Sequence, residues 1–321
     1  MNEGYNNNEL IANDNGNSIN IPDNGSSPDS NANLSEEFFP NKPRKNKNAI
    51  LIVIIALLLL SNFNFTGFFS FITNKTIYLE ENINDCSSLS LKASNGSIKV
   101  KGYDGDNIKL NISYKGRLFL KKNDIEFKFK KDGEVASLDY EKSKISGLSL
   151  EAEIPYDKLS SISLSSSNGR IELEDLNILE TIIETSNASV YIDQWTGENL
   201  FVETSNGKVE LTDFLGDKVE VKTSNGAINS KIKDFKENKE YDYIFKTSNG
   251  SIQIDLPKTN KVGYKINGKT SNSAINYDLE NFITENNSNS KELIGKTSNY
   301  EDYNTKVNIE VKTSNASIII D

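Results

Sequence analysis

Histidine is absent from the 321 residues, and cysteine, methionine and tryptophan occur once each. Without histidine there is no Ser-His-Asp triad, no Cys-His pair and no ordinary zinc site. A single cysteine, Cys86, allows no internal disulfide. Nor is it a lipoprotein site, because Ile83-Asn84-Asp85-Cys86 lacks the small residues required. It reads as a small buried or edge residue, with a thiol-linked dimer as the alternative. Positive charge is also short. Lys and Arg total 36 against 46 Asp and Glu, a net charge of −10. The chain therefore lacks the basic footprint of a nucleic-acid partner. No cofactor, catalytic or metal-binding residue is assigned.

What the chain has is a repeat. Ser-Asn followed by Gly, Ala or Ser recurs around Asn95, Asn168, Asn187, Asn206, Asn225, Asn249, Asn272 and Asn315. Asn168, Asn187, Asn206 and Asn225 stand 19 residues apart. A fixed period of this length marks a repeat architecture. Before each Asn, apolar residues or Thr alternate, as in Leu200, Val202, Thr204 and Val219, Val221, Thr223. After it the phase shifts by one, to Val209 and Leu211 or Ile252 and Ile254. Alternation on both sides means two strands with one buried face each. The shift means a bend at Ser-Asn-Gly.

Gly takes positive φ freely, and Asn tolerates it. Ala188, Ser273 and Ala316 replace Gly in three copies, so the positive φ is expected on Gly or on Asn. Carrying the parity through Thr204 to Asn206 places the Asn inward. Stacked one rung above another, at a spacing of about 4.8 Å, the amides would pair in an Asn ladder. A row of hairpins with Asn-Gly turns explains neither the preceding Thr-Ser nor the period. The reading is an all-β, right-handed parallel β-helix (β-solenoid), its hand following the crossover rule. A rung buries about five apolar residues, worth about 8 kcal/mol, and ordering its residues costs more. Stacking is what folds it.

The repeated x-Val-x-Thr-Ser-Asn-Gly-x-Ile-x-Val unit, with Leu91-x-Ala93-Ser94-Asn95-Gly96-Ser97-Ile98-x-Val100 followed by Gly102-Tyr103-Asp104-Gly105-Asp106, resembles the bacterial adhesin-like domain family DUF4097 over roughly residues 85–321. The resemblance implies a membrane-tethered β-helix of the bacterial cell envelope and supplies no catalytic residues.

Residues 1–48 are rich in Asn, Ser, Asp and Gly, and read as a disordered cytoplasmic tail. Residues 49–72 start with twelve residues free of polar side chains, Ala49 to Leu60, and continue through Phe63, Phe65, Phe68, Phe69 and Phe71. This is long enough for one transmembrane helix. Lys42, Arg44, Lys45 and Lys47 precede it, which puts the tail inside and the repeats outside. A cleaved signal peptide is the alternative. Residues 73–88 read as a linker and 89–321 as the β-helix domain. The gaps from Asn95 to Asn168 and from Asn272 to Asn315 suggest irregular rungs or sheet inserts. The chain stops at Ile318-Ile319-Ile320-Asp321, so the C-terminal rung is expected to expose strand edges through which copies self-associate.

Other motifs are weak. Ser288-x-x-Lys291 matches a Ser-Lys dyad but lies in a polar loop. Asp104-Gly105-Asp106 is too short for a calcium loop. Leu256-Pro257-Lys258-Thr259-Asn260 looks like a sorting signal without its apolar tail and reads as a strand end. Trp195 reads as a packing residue, with a sugar-stacking platform as the alternative. Two outward columns, Glu184, Glu203, Lys222, Lys246 and Glu172, Tyr191, Glu210, Asn229, read as surface pairs. The function expected is a non-enzymatic, membrane-anchored envelope protein that binds cell-wall polymer, a surface protein or itself. A carbohydrate-active β-helix enzyme, with paired carboxylates on neighbouring rungs, and an end-to-end polymerising scaffold are the alternatives.

Overall fold

The computed structural model describes residues 75–116, 125–285 and 288–321. The tail and the apolar run of residues 49–72 lie outside the described residues. No helix among the described residues is long and apolar enough to cross a membrane.

The strands in chain order are β1 (Lys75–Glu81), β2 (Ser88–Ala93), β3 (Ile98–Tyr103), β4 (Ile108–Gly116), β5 (Phe127–Asp132), β6 (Val135–Tyr140) and β7 (Ile145–Pro155). The regular zone holds β8 (Ser161–Ser166), β9 (Ile171–Asn177), β10 (Glu180–Thr185), β11 (Val190–Thr196), β12 (Asn199–Thr204), β13 (Val209–Phe214), β14 (Lys218–Thr223) and β15 (Ile228–Ile232). The remainder are β16 (Glu240–Lys246), β17 (Ile252–Asp255), β18 (Val262–Lys269), β19 (Ile275–Tyr277), β20 (Phe282–Thr284), β21 (Glu292–Thr297), β22 (Thr305–Lys312) and β23 (Ile318–Ile320).

Each Ser-Asn corner joins one strand of a 12-stranded sheet to one strand of an 11-stranded sheet. Copies stack in register: Val202 pairs with Ile183 and Val221, and Leu211 with Ile192 and Ser230. The central pairings are all parallel, and the core is the row of inward residues between the sheets. The fold is therefore all-β and solenoid-like. Both ends close with antiparallel strands. β1, β4 and β7 terminate one sheet and β5 and β6 the other; β20 and β21 extend the far end. Strand β1 lies inside the segment read as a linker, so the sheet begins at Lys75.

The rungs do not stack in chain order. β22 lies between β16 and β18, and β23 between β17 and β19. The C-terminal rung is thus interior, paired on both edges, and the open edge expected there does not exist. The outermost rung at that end is instead the Asn272 copy. Its second strand, β19, is three residues long and has only Ile275 buried.

Candidate functional site

The Ser-Asn corners gather on one edge of the solenoid. Parity places Asn206 inward, but all eight corner asparagines are exposed. The reason is the backbone. Thr204 and Gly207 are both buried and Ser205 and Asn206 both face out, so the phase shift falls before Asn rather than after it. The corner backbone is also bonded across rungs, the Ser186 carbonyl accepting both Ser205 N–H (3.1 Å) and Asn206 N–H (2.9 Å).

Outside the core, the asparagines still form a ladder. Asn168 Nδ2 donates to Asn95 Oδ1 at 2.5 Å, Asn187 to Asn168 at 2.8 Å, Asn206 to Asn187 at 2.7 Å and Asn225 to Asn206 at 2.6 Å. Asn249 donates to Asn225 at 2.7 Å, Asn315 to Asn249 at 2.5 Å and Asn272 to Asn315 at 2.6 Å. The spatial order is 95, 168, 187, 206, 225, 249, 315, 272. An amide has two N–H donors and an acceptor oxygen. Each inner member spends one donor on its neighbour and keeps a second facing solvent.

The buried partner of the ladder is threonine. Thr204 Oγ1 accepts from Gly207 N (3.1 Å) and donates to Ala188 O (3.3 Å). Thr223 does the same with Gly226 N and Gly207 O, and Thr247 with Gly250 N and Gly226 O. Each hydroxyl closes its own corner and stitches it to the next rung, which is why Thr stands two residues before Asn. Glycine serves close approach rather than positive φ. A Cβ on Gly207 would lie 1.7 Å from the Ala188 carbonyl oxygen, and one on Gly226 1.8 Å from that of Gly207. Of the corner residues, only Asn95 has positive φ (53°).

A second column, missed by the repeat reading, lies seven residues past Asn. Asp175, Gln194 and Asp213 all adopt left-handed backbone, with φ of 51°, 54° and 49°. Each places two outward residues in a row and turns the next side chain, Leu176, Trp195 or Phe214, into the core. The constant offset was the available signal. These residues help to line an open depression of about 580 Å³ with Tyr156 and Lys233.

The remaining sequence candidates separate cleanly. Trp195 is fully buried, its Nε1 donating to the buried Thr181 hydroxyl at 3.0 Å, so it packs and offers no platform. Cys86 is a buried free thiol. Ser288 Oγ bonds the Ile294 backbone and Lys291 Nζ the Ser271 carbonyl, so neither serves the other. Asp104 and Asp106 are exposed turn residues. Leu256 to Asn260 form the loop after β17 and line a depression of about 450 Å³ with Tyr264, whose hydroxyl donates to Pro257 O.

The outward columns hold their register, Glu203 lying between Glu184 and Lys222, and Tyr191 between Glu172 and Glu210. Their ion pairs run both along and across strands. Lys222 bonds Glu220, and Lys246 reaches Glu310 at 3.1 Å. Glu172, Glu174, Asp193 and Glu210 line one shallow depression of about 310 Å³. Three of them hold cations: Arg170 on Glu172 at 2.7 Å, Lys99 on Glu174 at 2.7 Å, and Lys208 on Glu210 at 2.7 Å. The bond to Glu174 raises the Lys99 pKa. Arg170 also lies 4.1 Å from the Tyr191 ring centroid. No group of three or more metal-ligating residues occurs among the described residues.

The Toastrack DUF4097 family model matches residues 41–320. The chain belongs to this family. Three solved structures are similar to this Toastrack chain. A "putative cell adhesion protein" of Clostridium sporogenes is 15% identical, with 77% of this chain and 99% of that one covered at a TM-score of 0.36. A "putative adhesin" of Bacteroides fragilis is 14% identical, with 78% and 98% covered at a TM-score of 0.42. A "putative lipid binding protein" of Parabacteroides distasonis is 12% identical, with 78% and 98% covered at a TM-score of 0.30. No curated protein matches the chain.

Proposed function

We propose that this Toastrack protein is a single-pass, membrane-anchored component of the bacterial cell envelope, and that its right-handed β-solenoid is an adhesin-like binding surface without catalytic activity. The observation that carries this reading is the unbroken asparagine column. It ties eight rungs into a stiff support whose depressions are open and lie on its outer surfaces. Such a support presents side chains to a partner larger than itself, a cell-wall polymer or a surface protein.

The apolar residues 49–72 supply the anchor, with the tail in the cytoplasm and the repeats outside. The family match begins at residue 41 and so takes in that run. The acidic surface, at net charge −10, argues against nucleic acid.

The test is protease treatment of intact cells that express the full chain, followed by sedimentation of the detergent-purified chain with isolated wall fractions. The reading expects loss of the solenoid with protection of the tail, and co-sedimentation with wall. A solenoid protected in intact cells would overturn the topology, and a chain that stays in the supernatant with every wall fraction would overturn the binding role. A second reading, a carbohydrate-active enzyme, is favoured by one observation: Glu172, Glu174, Asp193 and Glu210 share a depression. Release of soluble sugar from the wall fraction, lost in Glu174→Gln, would establish it.

A further inference from the structure

Asn-Gly pairs are the sites where proteins convert themselves most readily. The glycine nitrogen attacks the asparagine side-chain carbonyl carbon, Cγ. The Cγ–Nδ2 bond breaks, and ammonia leaves with the proton of the glycine N–H. Water then opens the resulting succinimide to aspartate or isoaspartate. Attack requires a glycine N–H that is free to leave its hydrogen bond, and an amide free to turn towards it.

Six Asn-Gly pairs occur among the described residues. In four the corner hydroxyl holds the nucleophile. Gly169 N donates to Ser166 Oγ at 3.1 Å, Gly207 N to Thr204 at 3.1 Å, Gly226 N to Thr223 at 3.1 Å and Gly250 N to Thr247 at 3.2 Å. Their asparagines are clamped on both sides, since each donates to one neighbour and accepts from another. In the fifth, Asn267-Gly268, the glycine lies mid-strand in β18 between two paired neighbours.

The sixth pair, Asn95-Gly96, lacks the hydroxyl latch and is held by the ladder on one side only. The residue two before Asn95 is Ala93, which has no hydroxyl. The Gly96 N–H has no acceptor among the described residues. Asn95 ends the ladder: its Oδ1 accepts from Asn168, but its Nδ2 has only the Ser146 carbonyl at 3.3 Å. It is exposed, and its backbone is left-handed with φ of 53°.

We propose that Asn95 is a self-modification site, converting through a succinimide with water as co-reactant, and that the Thr/Ser hydroxyl latch keeps the other corners intact. Conversion turns the ladder's end into a carboxylate or kinks it through an isoaspartyl linkage.

The test is ageing of the folded full chain in mildly alkaline buffer, with peptide mapping by mass spectrometry and labelling by isoaspartyl methyltransferase. A denatured sample reports the unrestrained rate at each pair. Among the six described pairs, conversion of the folded chain is expected first at Asn95, about tenfold faster than at Asn206 or Asn225, the factor equivalent to one hydrogen bond of about 1.4 kcal/mol that must open before attack. Ala93→Thr is expected to slow Asn95 by a similar factor, and Thr204→Val to speed Asn206. Equal rates at all corners, faster conversion at Asn206 than at Asn95, or no conversion at Asn95 while the denatured chain converts would each overturn the proposal. If Ala93→Thr fails to fold, an unchanged Asn206 rate in Thr204→Val overturns the latch on its own.

Discussion

The hydroxyl of Thr204 accepts the N–H of Gly207 at 3.1 Å while donating to the carbonyl of Ala188 on the neighbouring rung at 3.3 Å. One buried side chain thus satisfies two backbone groups that the corner would otherwise orphan. Thr204→Val keeps the shape and leaves both unpaired, at a cost of about 1–3 kcal/mol. Thr204→Ser keeps the hydroxyl and loses much less. Thermal melts of the two variants separate these outcomes, with a fall of about 2–4 °C per kcal/mol for a domain of this size. Equal losses would show that the methyl group, rather than the hydroxyl, matters.

Asn206 stands in the middle of the exposed column, bonded to Asn187 and Asn225. Asn206→Ala is expected to cost about 1 kcal/mol, the net value of neutral hydrogen bonds open to solvent. Asn206→Asp keeps an acceptor for Asn225 but loses the donor to Asn187 and faces its oxygen, so it should cost more than Ala. Denaturant midpoints at fixed m-value read both.

These two residues also mark how far the sequence could be read. The alternation around Val202 and Thr204, and the 19-residue spacing, lead directly to stacked strands with Thr inward. Asn206 was placed on the wrong face because strand parity holds only for extended backbone, and the chain leaves that state at Ser205. The order of the last rungs was hidden for another reason. Ile318, Ile319 and Ile320 end the chain, but the distance from Asn272 to Asn315 carries no information about which copy lies outermost. A signal existed in β19. Its Asn276 and exposed Tyr277 break the apolar pattern, as a terminal rung does. The depressions involve residues from separate rungs, so only the register reveals them.

Trp195 is the single tryptophan and is wholly buried against Thr181. Its fluorescence should be blue-shifted and resist quenching by iodide until the domain unfolds. Trp195→Phe is expected to cost about 2–4 kcal/mol, from a cavity and a buried Thr181 hydroxyl left unbonded. Quenching of the folded chain at the rate of free tryptophan would contradict this placement.

Burial raises the pKa values of Tyr243 and Tyr264, whose hydroxyls donate to the Gly216 and Pro257 carbonyls. The folded state holds these protons more tightly than the unfolded chain. Their contribution to stability is therefore complete below the unfolded tyrosine pKa of about 10 and is lost as pH rises above it. A pH titration followed by phenolate absorbance should show part of the tyrosine signal delayed until circular dichroism reports unfolding. Ionisation of every tyrosine in one step near the free value, with the fold intact, would contradict the burial.

The central claim is that the eight corners form one column in which the C-terminal rung is slotted between two others. Outward residues Gln253 and Ile319 are direct partners, as are Ile319 and Asn276. Adjacent strands lie about 4.8 Å apart, within the Cα range of a disulfide, whereas a two-rung separation is beyond it. With Cys86→Ser as background, cysteine pairs at 253/319 and at 319/276 should oxidise to intramolecular disulfides in the folded chain, and the pair at 253/276 should not. A disulfide between 253 and 276 in the folded chain, with the 253/319 pair unreactive, would show that the rungs stack in chain order and would contradict the account.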